Sequence, residues 1–103
     1  MGDRLELHQI LLDLITPHNV YFQPPSSIRL TYPCIIYELD DINVRYAGSV
    51  KYAKHKAYSI TLIDPNPDSE IVDKIMGLNY CEFDRHFVSD NLNHYVFTLF
   101  YKN

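Results

Sequence analysis

The sequence has no tryptophan, only two cysteines and only three glycines, and these scarcities exclude several kinds of site. Three scattered glycines cannot form the glycine-rich loop that cradles a phosphate. Cys34 and Cys81 lie in separate apolar runs and form no Cys-x-x-Cys pair, so we expect two buried free thiols in a reducing compartment. No run of about 18 apolar residues is present, so we expect no membrane-spanning segment. The first residues lead into an amphipathic helix, so we expect no signal peptide.

Positive charge is also scarce. Nine Lys and Arg stand against thirteen Asp and Glu, a formal net charge of −4, which disfavours a general nucleic-acid-binding protein. The composition, 47% hydrophobic and 21% charged, is that of a globular chain, and 103 residues predict one domain over residues 1–103. A domain of this size has a thin core. The nine Tyr and five Phe are residue types that suit interfaces, so the composition favours association.

Hydrophobic periodicity predicts two helices and several strands. A helix is expected over residues 3–15 and another over 66–77, begun by Asn66-Pro67 and ended by Gly77. Strands are expected at 34–39, in a long hairpin over 42–63, and at 81–87 and 92–101, with a short edge strand at 20–22. The predicted fold is a small two-layer α+β sandwich, with a mostly antiparallel four-stranded sheet, two helices on one face and a projecting β-hairpin.

The outer half of the long hairpin, residues 42–54, is far more polar than its base, and we name this segment the arm. A basic cluster runs from the arm toward the base of the hairpin and consists of Lys51, Lys54, His55 and Lys56, with Tyr52 and Tyr58 as its aromatic residues. Three interpretations of this cluster remain open. The cluster can grip a nucleic-acid backbone, it can be a solvated hairpin whose lysines protect an edge, or it can dock on an acidic neighbour. Under the docking hypothesis, the arm contacts adjacent subunits or another protein through Arg45, Tyr46, Lys51, Tyr52 and Lys54.

The last strand is apolar on both faces. Leu92, Val96 and Phe100 alternate with a second row of large apolar residues, and only one row can face the helices. The other row needs a second cover, and a neighbouring subunit is the simplest one. We therefore place the strand at or next to a subunit interface, with these residues as candidates: Tyr95, Phe97, Leu99 and Tyr101.

No catalytic, metal-binding or cofactor-binding pattern rises above chance. Asp84 and His86, with Asp90 and His94 nearby, could hold a metal, but the spacing lacks a zinc signature and a polar hairpin accounts for it. Ser89, His86 and Asp90 are the residue types of a hydrolase triad, yet no glycine flanks Ser89, and a Ser-Asp-Asn turn explains the run better. We expect a protein that is not an enzyme and has no cofactor.

Three parts of the chain resemble the short tail proteins of siphophages and prophages of Gram-positive bacteria. They are residues 32–37 (YPCIIY), residues 51–64 (KYAKHKAYSITLID) running into 66–69 (NPDS), and residues 83–85 (FDR) with 90–95 (DNLNHY). The resemblance covers most of the chain from Tyr32 to Tyr101. Its motifs are structural rather than chemical, so it concerns the family more than any mechanism.

The resemblance implies a tail terminator or tail-to-head joining protein. Such a protein caps the tail tube as an oligomeric ring, commonly a hexamer, and contacts the tail tube protein and the head-tail connector protein. DNA would pass through the lumen without specific binding, and the protein would be assembled in the host cytoplasm and reside at the head-proximal end of the virion tail. Two alternatives stay open: a head-completion or connector protein of the same neck region, and a small nucleic-acid-binding module that uses Lys51, Lys54 and Lys56.

Overall fold

The computed structural model describes the backbone of residues 3–15, 18–47 and 50–102, and the side chains of residues 4–15, 18–40 and 56–101. The elements are α1 (Asp3–Leu14), β1 (Val20–Phe22), β2 (Cys34–Ala47), β3 (Val50–Asp64), α2 (Ile71–Met76), β4 (Cys81–Ser89) and β5 (Leu92–Lys102). The strands form one sheet in the order β1-β2-β3-β5-β4. The α+β class expected from the sequence is confirmed.

The sheet is five-stranded and mixed, which corrects the expectation of four mostly antiparallel strands. β1 pairs in parallel with β2, with Val20 opposite Ile35. The Ile35 amide donates to the Asn19 carbonyl at 2.8 Å, and the Gln23 amide donates to the Tyr37 carbonyl at 3.0 Å. The residues between β1 and β2 carry the chain back to the same end of the sheet, and such a crossover is what parallel pairing requires.

One apolar core lies between the helices and one face of the sheet, which we call the helix face; the other is the open face. Two residues of α1, the residue that follows it and one residue of α2 are buried there, against side chains that alternate along the three central strands. The fully or almost fully buried members are Leu7, Leu11, Ile15, Ile35, Tyr37, Tyr58, Ile60, Leu62, Ile75, Tyr95, Phe97 and Leu99. Leu7 and Leu11 lie four residues apart and so share the buried side of α1, whereas Leu5 is 57% exposed.

A polar cluster fixes α1 to the sheet. The Tyr37 hydroxyl, at the end of a fully buried side chain, lies 2.8 Å from His8 Nδ1 and 3.4 Å from Arg4 Nη1. The Arg4 guanidinium also stacks over the Phe22 ring at 4.4 Å. Burial, and then the neighbouring Arg4 charge, lower the pKa of His8. The neutral imidazole is therefore the form that this cluster favours.

The second helix begins at Ile71, five residues after the Asn66 predicted to cap it. Side-chain oxygens in the preceding loop bind amides two residues ahead: Asp64 Oδ1 accepts from Asn66, and Asn66 Oδ1 accepts from Asp68, each at 2.9 Å. Such turns compete with helical hydrogen bonds and delay the helix. Its end at Gly77 is as predicted, since the Gly77 amide donates to the Asp73 carbonyl at 3.0 Å.

A two-residue turn joins β4 to β5. Asp90 and Asn91 both have positive φ, 54° and 63°, which is the backbone of the tight turn that right-twisted hairpins favour. The pairing shifts between Phe83 and Arg85, so β4 contains a bulge. Before the bulge Phe83 lies opposite the buried Phe97, and after it Arg85 lies opposite Val96 on the open face. The uniform alternation expected for this strand is therefore interrupted.

Candidate interaction surface

The arm extends beyond every other strand of the sheet. The pairing of β3 with β5 begins at His55, opposite Lys102, and β1 ends opposite Tyr37 of β2. Within the described residues, 42–47 and 50–54 therefore pair with the other half of the same hairpin and with no third strand. A two-stranded ribbon of this kind is marginally stable alone in water. The molecule is accordingly elongated, measuring 51 × 24 × 23 Å.

Charge separates the arm from the rest of the chain. Residues 42–54 contain Arg45, Lys51 and Lys54 and no Asp or Glu, so the arm has a formal charge of +3. The remaining residues hold the other six basic and all thirteen acidic residues, a formal charge of −7. Arg45, Tyr46, Lys51, Tyr52 and Lys54 were the expected contact residues; their backbone lies in this ribbon, and their side chains lie outside the described residues.

Three of the four β5 residues expected at a subunit interface are buried within the chain itself. Tyr95, Phe97 and Leu99 point at the helices and are 8%, 0% and 3% exposed. Their row faces the helices because it is in register with Ile60, Leu62 and Tyr58 of β3. Tyr101, at the end of the same row, is half-buried, and its hydroxyl lies 3.5 Å from Glu6 of α1. The opposite row of β5, which contains Val96 and Phe100, therefore faces away from the helices.

The open face is only partly covered. Val96 is 5% exposed, whereas Phe100 in the same row is 39% exposed. On the β1 side of this face, the segment after β1 supplies Pro24, Ile28 and Leu30, which line an open cleft with Ile36 of β2. From the sequence, we expect a neighbouring subunit to cover the face of the sheet away from the helices. The segment after β1 supplies part of this cover, while the β5–β4 side of the open face remains accessible.

An apolar groove of about 350 Å³ lies at the end of β5, between α1 and the segment leading into β4. Its walls include Leu7, Ile10 and Leu78, and Tyr80 stands at its rim with 76% of its surface exposed. The Tyr80 backbone has a φ of 62°, and its carbonyl accepts from the Phe100 amide at 3.0 Å. Nothing in the sequence periodicity marked this groove, because its walls come from three elements distant along the chain.

The strand β4 is the outermost strand on one side of the sheet, and eight of its nine residues are exposed. Three of these are large and apolar: Phe83, Phe87 and Val88 are 47%, 41% and 61% exposed. Asp84 and Arg85 form an exposed ion pair at 2.8 Å, and the Phe87 ring stacks on His94 at 4.6 Å between centroids. A long edge strand with exposed apolar residues is a template for pairing with another chain.

The residues considered for a metal site or a hydrolase triad do not come together. His86 points to the helix face, where its Nε2 lies 3.1 Å from Asn93 Oδ1 and its ring 4.7 Å from that of Tyr95. His94 points to the opposite face, and Asp84 pairs with Arg85. Ser89 lies opposite Leu92, on the other face from His86. Among the described residues, no group of three His, Cys, Asp or Glu is placed to hold a metal ion.

Polar side chains of β5 stabilise the loop before α2. Asn93 donates to the carbonyls of Asp64 and Pro65 at 3.2 and 3.3 Å, and the Tyr95 hydroxyl donates to the Pro67 carbonyl at 2.9 Å. Burial, followed by the charges of Asp64 and Asp68, raises the pKa of Tyr95. These bonds tie the loop before α2 to β5, so the structure assigns them to packing rather than to chemistry.

The fold and the surfaces together define a small two-layer α+β domain with a basic arm, an acidic body and an exposed edge strand. Models of known protein families were searched and none matches the chain, and no curated protein matches it in sequence. Within the part of the chain that the structure describes, no helix has the length and apolar character needed to cross a bilayer.

Proposed function

We propose that this chain is a structural protein of a phage tail, which caps the tail tube as an oligomeric ring and joins it to the head connector. The observation that carries the proposal is the arm, a ribbon with a charge of +3 that extends from a body with a charge of −7. A ribbon without sheet neighbours gains stability when a partner covers it. The resemblance to tail terminators implies the family and the hexameric ring, and it rests on residues 32–37, 51–64, 66–69, 83–85 and 90–95.

The body charge supports a conduit rather than a DNA-binding surface. Duplex DNA is strongly negative, and proteins that bind it neutralise phosphates with Lys and Arg. A ring whose lumen is formed by acidic bodies would repel the phosphates and let DNA slide without sticking. In such a ring the basic arms would contact neighbouring subunits or the tail tube protein, in the virion tail, rather than the DNA.

The same observations leave a head-completion protein as the nearest alternative, since such proteins also form rings in the neck. A nucleic-acid-binding module is the alternative from a different class, and the arm charge is the feature that favours it. Its mark would be binding of DNA or RNA by the isolated monomer, with an affinity that falls steeply as salt is added. If the monomer binds neither DNA nor RNA in a titration at low salt, this alternative is excluded.

The proposal is tested by reversing the arm charge. The double variant Lys51→Glu/Lys54→Glu is expected to keep the thermal midpoint of the native chain, because residues 42–54 have no sheet neighbour outside the hairpin. It should lower the yield of complete virions in a complementation assay, since charges at the rim of an interface steer association. In purified joining reactions, added salt should narrow the difference from the native chain by screening these charges.

The matched control is Arg29→Glu/Lys74→Glu, which reverses two exposed charges on the body and leaves the arm intact. Both double variants change the net charge equally, so only a position-specific effect separates them. An arm variant that gives the native virion yield would refute the proposal. A lowered thermal midpoint at a protein concentration too low for assembly would show instead that the two lysines belong to the fold.

A further inference from the structure

The sheet has two open edges, one on each side. On one side β4 is unpaired along its outer edge within the described residues. On the other side β1 covers only three residues of β2, and Gln23 extends this cover slightly. Its amide donates to the Tyr37 carbonyl, and its Oε1 accepts from the Leu39 amide at 3.2 Å. Beyond Leu39, β2 continues for eight residues to Ala47 with no described partner on its outer side.

β4 and the arm are opposite in charge. Residues 81–90, which contain β4, carry Glu82, Asp84 and Asp90 against Arg85, a formal charge of −2. The arm, residues 42–54, contains the outer part of β2 from Ile42 to Ala47 and carries +3, and Asp40 and Asp41 lie just before it. The edges also lie on opposite sides of one sheet, so one copy can use both at once. A second copy of this chain is therefore a partner that offers the complementary edge.

We propose that the exposed edge of β4 pairs with the outer edge of the arm of a second copy, head to tail, so that the sheets of successive subunits become continuous. Such an interface is heterologous, and repeated interfaces of this kind close into a ring when the rotation permits. Backbone hydrogen bonds would supply the affinity, and the −2 and +3 charges would select arm against β4 over pairing of like edges. The inference deepens the proposed function, on which the ring rests.

Two variants test β4 and the arm separately. The edge variant is Glu82→Lys/Val88→Lys, which places two cations on exposed positions of β4 and repels the arm. The arm variant replaces residues 44–54 by Asn-Gly, a turn that closes a hairpin between the paired residues Asn43 and His55 without shortening the contact of β3 with β5. The control is Leu5→Lys/Asp13→Lys, which makes the same kinds of change on exposed positions of α1.

Assembly of the purified proteins is measured by native mass spectrometry and sedimentation at matched concentrations. The native chain and the α1 control should form the same closed oligomer, and each edge-directed variant should need at least roughly tenfold more protein to assemble. An equimolar mixture of the two variants should give a one-to-one dimer, because each retains the half that the other lacks. Amide hydrogen exchange should slow in residues 81–89 when the native chain assembles.

Three results would each overturn the inference: a native chain that stays monomeric at high concentration, an edge variant that assembles like the native chain, or an arm variant that still self-associates through β4. If the edge variant loses its fold, the exchange measurement decides, since unchanged exchange in residues 81–89 on assembly excludes the pairing. These assembly assays use purified protein alone, so their outcome is independent of the virion yield that tests the proposed function. Edge-dependent assembly with a native virion yield in the arm-charge test would therefore uphold the inference and reject the proposed function.

Discussion

Asn93 is one of two β5 side chains, with Tyr95, that donate hydrogen bonds to the loop before α2. It is 8% exposed, and its amide group makes three contacts: donation to the carbonyls of Asp64 and Pro65, and a contact with His86 Nε2. The change Asn93→Ala removes all three without touching the apolar core. Because the fold is held at this point by hydrogen bonds and not by apolar burial, the change isolates their contribution.

The expected loss of stability follows from which partners water can reach. Pro65 and His86 are exposed, so water can replace Asn93 there, and each bond contributes roughly 0.5 kcal/mol. The bond to the Asp64 carbonyl is buried, and an unsatisfied buried acceptor costs about 2 kcal/mol. The sum is a loss of about 3 kcal/mol, a large part of the stability of a domain this size. The thermal midpoint should fall by roughly 12–24 °C.

Urea unfolding followed by tyrosine fluorescence measures the free energy of unfolding, with all proteins at one low concentration because assembly would add stability. The control is Asn79→Ala, an exposed asparagine on the segment before β4, which should change the free energy by less than about 0.5 kcal/mol. A loss below about 1 kcal/mol for Asn93→Ala would refute the reasoning, since it would mean that the loop is held without these bonds.

Two further predictions concern titratable groups. Because the folded chain lowers the pKa of His8, the unfolded chain takes up a proton at higher pH than the folded one, so stability should decline as pH falls from the ordinary value near 6.5 through the lower folded value. His8→Gln should flatten this part of the stability profile, measured by urea unfolding at a series of pH values. Equal slopes for His8→Gln and the native chain would exclude the role of His8. Burial raises the pKa of Cys34 to about 11, and the residue is 0% exposed. In single-thiol variants, Cys34 in Cys81→Ala should therefore be alkylated at pH 8 more slowly than Cys81 in Cys34→Ala, as measured by mass spectrometry, and faster labelling of Cys34 would contradict its placement.

Local sequence patterns predicted the features that follow from residue type and spacing alone. Leu7, Leu11 and Ile15 are four residues apart, so they lie on one side of a helix whatever that side packs against. All three are buried in the core. Asp90-Asn91 predicted a turn, since these residue types tolerate positive φ. The apolar base and polar outer half of the long hairpin predicted a ribbon that leaves the sheet. Accordingly, β5 pairs with β3 only from His55 onward and does not reach the arm.

Features that depend on pairing between distant residues could not be predicted in this way. A three-residue strand such as β1 has no pattern that distinguishes parallel from antiparallel pairing, and its direction follows from where the chain returns to β2. The bulge after Phe83 places Arg85 and Phe87 on the opposite face from Cys81 and Phe83, and only the register against β5 reveals it. The late start of α2 reflects side-chain hydrogen bonds that compete with the helix.

The sequence by itself determined the α+β class, the positions of most elements and the separation of a basic arm from an acidic body. It also determined that β5 is apolar on both faces. Only the tertiary structure decided that Tyr95, Phe97 and Leu99 face the helices, because both rows of β5 are hydrophobic enough to be buried and the choice between them depends on the register with β3. Strand order likewise is a property of the whole sheet, so the exposure of β4 as an edge emerged only from the fold.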